Sequence, residues 1–176
     1  MSSTVRPDNL RAALDAKLAA ALSQLIDLRE AEQPRVTPHL NPREIVAAFA
    51  LYARSVYPIV DAFGKSQVGH LQYNTWLGQW AEGLGDADRA LWQQLRDDRV
   101  LHGPGAALVD LEISVAADPA ITVPQLPPDT RADVRKRLVR FAAYPGRLAS
   151  DVCEDYLRLA KRFAGDFVRD HARFLP

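Results

Sequence analysis

The stretch NPREIVAAFALYARSVYPIVDAFG, Asn41 to Gly64, decides the fold class of this chain. Asn41 suits an N-cap, Pro42 suits the first turn, where no backbone donor is needed, and Glu44 sits at the third helical position. Ile45, Ala48, Phe49, Tyr52, Val56, Ile59, Val60 and Phe63 follow at helical spacing. So wide an apolar face belongs to a helix packed inside a bundle. Pro58 removes one donor and crowds the preceding turn, so a kink is expected there, and Gly64 is expected to end the helix.

The pattern extends to both sides. Upstream, Asp8 or Asn9 caps a first helix whose stripe, Leu10, Leu14, Leu18, Leu22 and Leu25, reads as one clean apolar face. Arg29, Glu30 and Glu32 close it, and Pro34 and Pro38 mark the connection. Downstream, a third helix is predicted from about Val68 to Gly83, with Leu71, Trp76, Leu77 and Trp80. Asp86 caps a fourth that buries Leu91, Trp92 and Leu95 and stops near His102, because Gly103-Pro104-Gly105 cannot continue a helix. Helices joined by short loops pack antiparallel.

Beyond the fourth helix the period changes to two. Val109, Leu111, Ile113 and Val115 alternate with Asp110, Glu112 and Ser114, and after the turn signal Asp118-Pro119 the run Ile121-Thr122-Val123 is placed to pair back. This predicts a small β-hairpin, or an extended arm over the bundle. Thr130 and Asp133 resemble a capping box for a helix burying Val134, Leu138, Phe141 and Ala142. Pro145-Gly146 interrupts, and Ser150 caps a last helix with Val152, Tyr156, Leu159, Phe163 and Phe167 inward. The expected fold is therefore all-α: an antiparallel bundle of five to six helices, with a hairpin or arm after the fourth, in one domain over residues 1–176.

Composition narrows the function. Hydrophobic residues make up 48% and charged residues 25%, a globular balance. The 22 basic and 22 acidic side chains cancel, so RNA binding would rest on a local patch rather than a global field. The single cysteine, Cys153, cannot form an internal disulfide and suits a reducing compartment. No apolar run approaches the roughly 20 residues that span a bilayer, and Met1-Ser2-Ser3-Thr4 leads into a charged helix, so a cytoplasmic protein with no membrane partner is expected. There is no Gly-rich phosphate loop, nucleophile elbow or cysteine pair. None of His39, His70, His102 and His171 has a Glu three residues before it, as a di-iron bundle site requires. Neither a metal nor a cofactor is expected.

Arg96-Asp97-Asp98-Arg99-Val100-Leu101-His102-Gly103 is the sharpest chemical signal, closing the Trp-containing fourth helix on a break. Arg96, the polar Asp97 after it, and His102, with five residues between it and Arg96, resemble the Arg-x(4–6)-His motif of the HEPN superfamily. The order of helices resembles that superfamily in outline over residues 8–170, and in specific residues the likeness covers the motif. The resemblance implies metal-independent RNA cleavage. His102 would move protons to or from the 2′-hydroxyl or leaving oxygen, Arg96 would hold the non-bridging phosphate oxygens, and Asp97 would orient one of them. On a regular helix Arg96 and His102 lie about 120° apart. They converge if the helix loosens near Leu101, or if a second subunit supplies part of the site, as the homodimers of HEPN nucleases do.

Other readings of these residues stand beside that one. Arg96 and Arg99 also suit a surface balanced by Asp97 and Asp98, with His102 capping the helix end. The basic group Arg131, Arg135, Lys136, Arg137 and Arg140 suits a phosphate backbone, with Arg99 beside it, or a solvated helix face. Trp76, Trp80 and Trp92 suit base stacking or, at these spacings, the core; His171 and Cys153 read as packing residues. The leading expectation is a toxin- or defence-type endoribonuclease acting on RNA as a homodimer, with an antitoxin or other protein partner. The alternatives are a non-catalytic HEPN-like module that binds a protein or nucleotide, and a structural helical protein.

Overall fold

The computed structural model describes residues 9–33, 40–97, 108–115 and 134–175. In chain order the elements are α1 (Leu10–Ala31), α2 (Pro42–Phe63), α3 (His70–Glu82), α4 (Asp86–Asp97), β1 (Leu108–Val115), β2 (Val134–Phe141) and α5 (Ala149–Asp170). Five helices and a two-stranded ribbon bear out an all-α bundle with a small strand arm.

Helix α2 starts as its sequence dictates, with the Asn41 side chain accepting from the Arg43 N–H at 3.1 Å. It runs unbroken through Pro58, which lies on the exposed side. Its inner residues, Phe49, Val56, Val60 and Phe63 among them, are buried against α1 and α5. The helical stretch Pro42–Glu82 contains an 18-residue window of mean hydropathy 1.3, long and apolar enough by composition to cross a membrane. Of that window 39% is buried inside the fold.

α2 ends at Phe63 with Gly64 as its C-cap, as expected, but the chain does not turn away there. Gly64 stays helical at φ −58, and the chain continues through a π-helical turn, Gly64–Gly69, straight into α3. A side chain at Gly64 would overlap the buried Tyr73 ring, so the glycine is there for close approach. The break falls at Gly69, at φ 102, a conformation in which only glycine is unstrained. Of the α3 residues, Tyr73 is buried and Trp76, Leu77 and Trp80 pack on the core, while Leu71 is 82% exposed.

The expected helix over residues 130–142 is a strand from Val134 onward. β2 pairs antiparallel with β1, Leu108 opposite Phe141 and Val115 opposite Val134. Val134, Leu138 and Phe141 have helical spacing, but Arg137, Val139 and Phe141 also share one strand face, and Val139 and Phe141 are fully buried there. The partner decides between the two periods: the register sets Glu112 across from Arg137, and an isolated ribbon is marginal until it packs on something. The Arg137 guanidinium donates to the Leu40 carbonyl at 2.7 Å and ties the ribbon to the start of α2. The proposed return strand Ile121-Thr122-Val123 and the Thr130–Asp133 capping box lie outside the described residues.

Helix α5 begins two residues earlier than its sequence suggests. Its N-cap, Leu148, has no side-chain oxygen, and Ser150 is inside the helix. The cap comes from α1: the buried Glu32 carboxylate accepts from the Ser150 N–H at 3.2 Å and from the Ser150 hydroxyl. Arg29 pairs with Glu154 nearby, and at the far end Leu14 and Leu18 lie near Ala164 and Val168, so α1 and α5 run antiparallel. Val152, Tyr156, Leu159, Phe163 and Phe167 all face inward, as expected, and are fully buried.

Candidate functional site

The motif-bearing segment begins at the end of α4. Asp86 and Asp88 occupy the first turn of this helix, where acidic side chains oppose the helix dipole favourably. The Arg89 guanidinium donates to the Glu82 and Leu84 carbonyls, each at 3.0 Å, and fastens the α3–α4 turn. Trp92 is buried, its ring 4.6 Å from Phe163 and 4.8 Å from Trp80 between centroids. Asp88 accepts both nitrogens of Arg158 on α5, at 2.6 and 3.0 Å, and that guanidinium holds its carboxyl below the usual carboxylate range. Packing of this kind fixes α4 on α5. Arg96 and Asp97 are the last two residues of the helix, whereas Arg99 and His102 lie outside the described residues.

The basic residues from Arg135 to Arg140 lie on a strand, not on the expected helix. Lys136 and Arg140 alternate with Arg135 and Arg137 on opposite faces of β2, and Arg131 lies outside the described residues. Arg140 donates to the Pro145 carbonyl at 2.9 Å, so it and Arg137 both serve the ribbon's own anchoring.

The aromatic candidates belong to the core wall between α3, α4 and α5. Trp76 and Trp80 donate their indole N–H groups to Asp170 and Asp166 at 3.0 and 2.8 Å. The Trp76 bond, with Arg169, holds Asp170 below the usual carboxylate range. His171 is buried, stacked on Phe167, with Nδ1 3.1 Å from the Phe167 carbonyl oxygen. Cys153 is fully buried, and that burial pushes its thiol well up, the opposite of a reactive cysteine. No group of metal-ligating side chains occurs among the described residues.

Two features escape a reading along the chain. One is the buried Glu32, whose carboxyl burial pushes above its ordinary value although Ser150 hydrogen bonds pull it down. The other is a groove of about 290 Å³ between α1 and α5, lined by Arg11, Leu14, Asp15, Leu18, Lys161, Ala164, Gly165 and Val168. The leucine stripe of α1 is not one clean face: Leu10, Leu14 and Leu25 are buried, but Leu18 is half-buried and Leu22 is 39% exposed. The signal for the groove was Gly165 inside an otherwise strongly helical sequence; the space above it is open.

No family model, curated protein or solved structure matches this chain. The HEPN resemblance therefore rests on the α4 segment and the order of helices.

Proposed function

We propose that the chain is a metal-independent endoribonuclease of the HEPN type, a cytoplasmic toxin or defence effector whose chemistry sits at the end of α4. One contrast carries this reading. Trp76, Trp80, Trp92, His171 and Cys153 are taken up by the core, whereas Arg96 and Asp97 stand in the last turn of a firmly packed helix, with four residues between Asp97 and the His102-Gly103 sequence. In this mechanism the Arg96 fork holds the non-bridging oxygens of an RNA phosphate and His102 transfers protons. The 2′-hydroxyl attacks phosphorus and the 5′-oxygen leaves, so the substrate is RNA and the product ends are a cyclic phosphate and a 5′-hydroxyl. Asp97 orients the pair, and Arg99 and Arg131, with either Arg135 or Lys136 from the two faces of β2, track the flanking backbone.

The test is cleavage of a labelled mixed-sequence RNA in EDTA, wild type beside His102→Ala, with circular dichroism on both. Wild-type cleavage should fall by at least about 100-fold in the variant. Folded proteins that both leave the RNA intact, with and without a co-purified protein partner, would remove the nuclease reading. The second reading, a helical module that binds a protein, draws on the outer surface of α1.

A further inference from the structure

Facing Leu14 and Leu18 of α1, helix α5 presents only Ala164, Gly165 and Val168, so the two helices leave a groove of about 290 Å³ between them. That volume lies at the small end of the range for small-molecule sites. The floor is apolar: Leu14 and Ala164 are buried, Leu18 and Val168 half-buried. A glycine inside a helix weakens it, yet Gly165 stands here, and nothing lies within 4 Å of the side-chain position it leaves open.

The two ends of the groove are cationic. Glu32 meets Ser150 and Arg29 meets Glu154, so the antiparallel helices set Lys161 level with the turn of α1 that holds Ala21. Arg11 is then about ten residues away along the groove, roughly 15 Å at the helical rise. Neither cation, nor the Asp15 carboxylate on the rim between them, has an ion pair or hydrogen bond among the described residues. Such a site selects by charge and by length. Anionic groups belong at the ends, and Asp15 repels them from the middle, where the chain must be neutral. At the roughly 3.5 Å that three extended chain bonds span, a chain of about twelve carbons covers the distance. We propose that the α1–α5 groove binds a linear aliphatic dicarboxylate of this length, its chain on the apolar floor, one carboxylate at Arg11 and the other at Lys161. A phosphodiester chain, charged along its whole length, would meet Asp15 midway and gain nothing from the floor. The proposal goes beyond the nuclease reading, and none of its residues belongs to the α4 segment.

Equilibrium dialysis of the full chain against radiolabelled dodecanedioate tests it. Wild type should bind one molecule per chain. Dodecanoate, with the same chain and a single carboxylate, should compete about fivefold more weakly, and hexanedioate, too short to reach both cations, should not compete. Arg11→Gln and Lys161→Gln should each lower affinity for dodecanedioate about fivefold, less in added salt. In either variant dodecanedioate and dodecanoate should bind nearly alike. Gly165→Leu should abolish binding by filling the groove; it should fold, because the space above Gly165 is open and leucine favours the helix. No binding of dodecanedioate at millimolar concentration, equal affinity of wild type for dodecanoate, or undiminished binding by a folded Gly165→Leu would each overturn the proposal.

Discussion

α1 and α5 are both 22-residue helices lying antiparallel against each other, yet their surfaces follow different rules. Every exposed position of α5 is charged except Gly165: Asp151, Glu154, Arg158, Lys161, Arg162, Arg169 and Asp170. From Ala16 to Ile26, the exposed positions of α1 are Ala16, Ala19, Leu22, Ser23 and Ile26, with no charge among them. α5 is therefore a finished helix, with one face for the core and one for water. α1 has a core face and a second apolar face that the described fold leaves in solvent. The difference teaches that hydrophobicity along a helix records more than its own chain's core.

Urea unfolding at protein concentrations low enough to keep the chain monomeric sharpens the contrast most. Phe163→Ala on α5 removes a fully buried ring that touches Tyr57, Trp76, Trp80 and Trp92, and should cost about 3–5 kcal/mol. Leu22→Ala on the outer face of α1 should cost below about 1 kcal/mol under the same conditions. Equal losses at the two sites would show that the outer face of α1 is core after all.

The contact that joins the two helices comes next. Glu32→Ala leaves the Ser150 N–H at the start of α5 without its acceptor and should lose about 1–3 kcal/mol. Glu32→Gln keeps an acceptor there and removes the buried charge, so it should match or exceed wild type at pH 7. The pH dependence has a definite sign. Burial raises the folded-state pKa of Glu32 above its ordinary 4.5, so its contribution is complete below pH 4.5 and is lost as pH rises through the folded value. In Glu32→Gln that decline should be missing. A wild type and a Glu32→Gln with parallel stability profiles above pH 4.5 would mean that this carboxylate is better solvated than its burial implies.

The smallest effect is expected on the outside of α5. Asp88→Asn breaks the pair with Arg158, and because Arg158 is half exposed the cost should be about 0.2–1 kcal/mol, shrinking with added salt. Arg158 depresses the Asp88 pKa, so this contribution is present above the ordinary 3.8 and disappears as pH falls through the folded value. It thus changes with pH in the sense opposite to that of Glu32.

Much of the bundle was legible along the chain. Asn41, Pro42 and Glu44 marked the start of α2, and the inward face of α5 followed from the spacing of Val152, Tyr156, Leu159, Phe163 and Phe167. Residues 134–141 were misread because their apolar positions satisfy two periods. The candidate site was legible as Arg96 and Asp97 at a helix end, while the placing of Arg135 and Lys136 on a helix depended on that same misread period.

The sequence by itself determined that α1 to α5 form and which way α2 and α5 face, because propensity, capping and spacing act within a turn or two. Only the tertiary structure decided that Val134–Phe141 is a strand, that Glu32 caps α5 across 118 positions, and that Leu22 faces outward while Leu25 faces in. Each of these depends on a partner distant in the chain, whose hydrogen bonds and buried area outweigh local preference once the chain has folded.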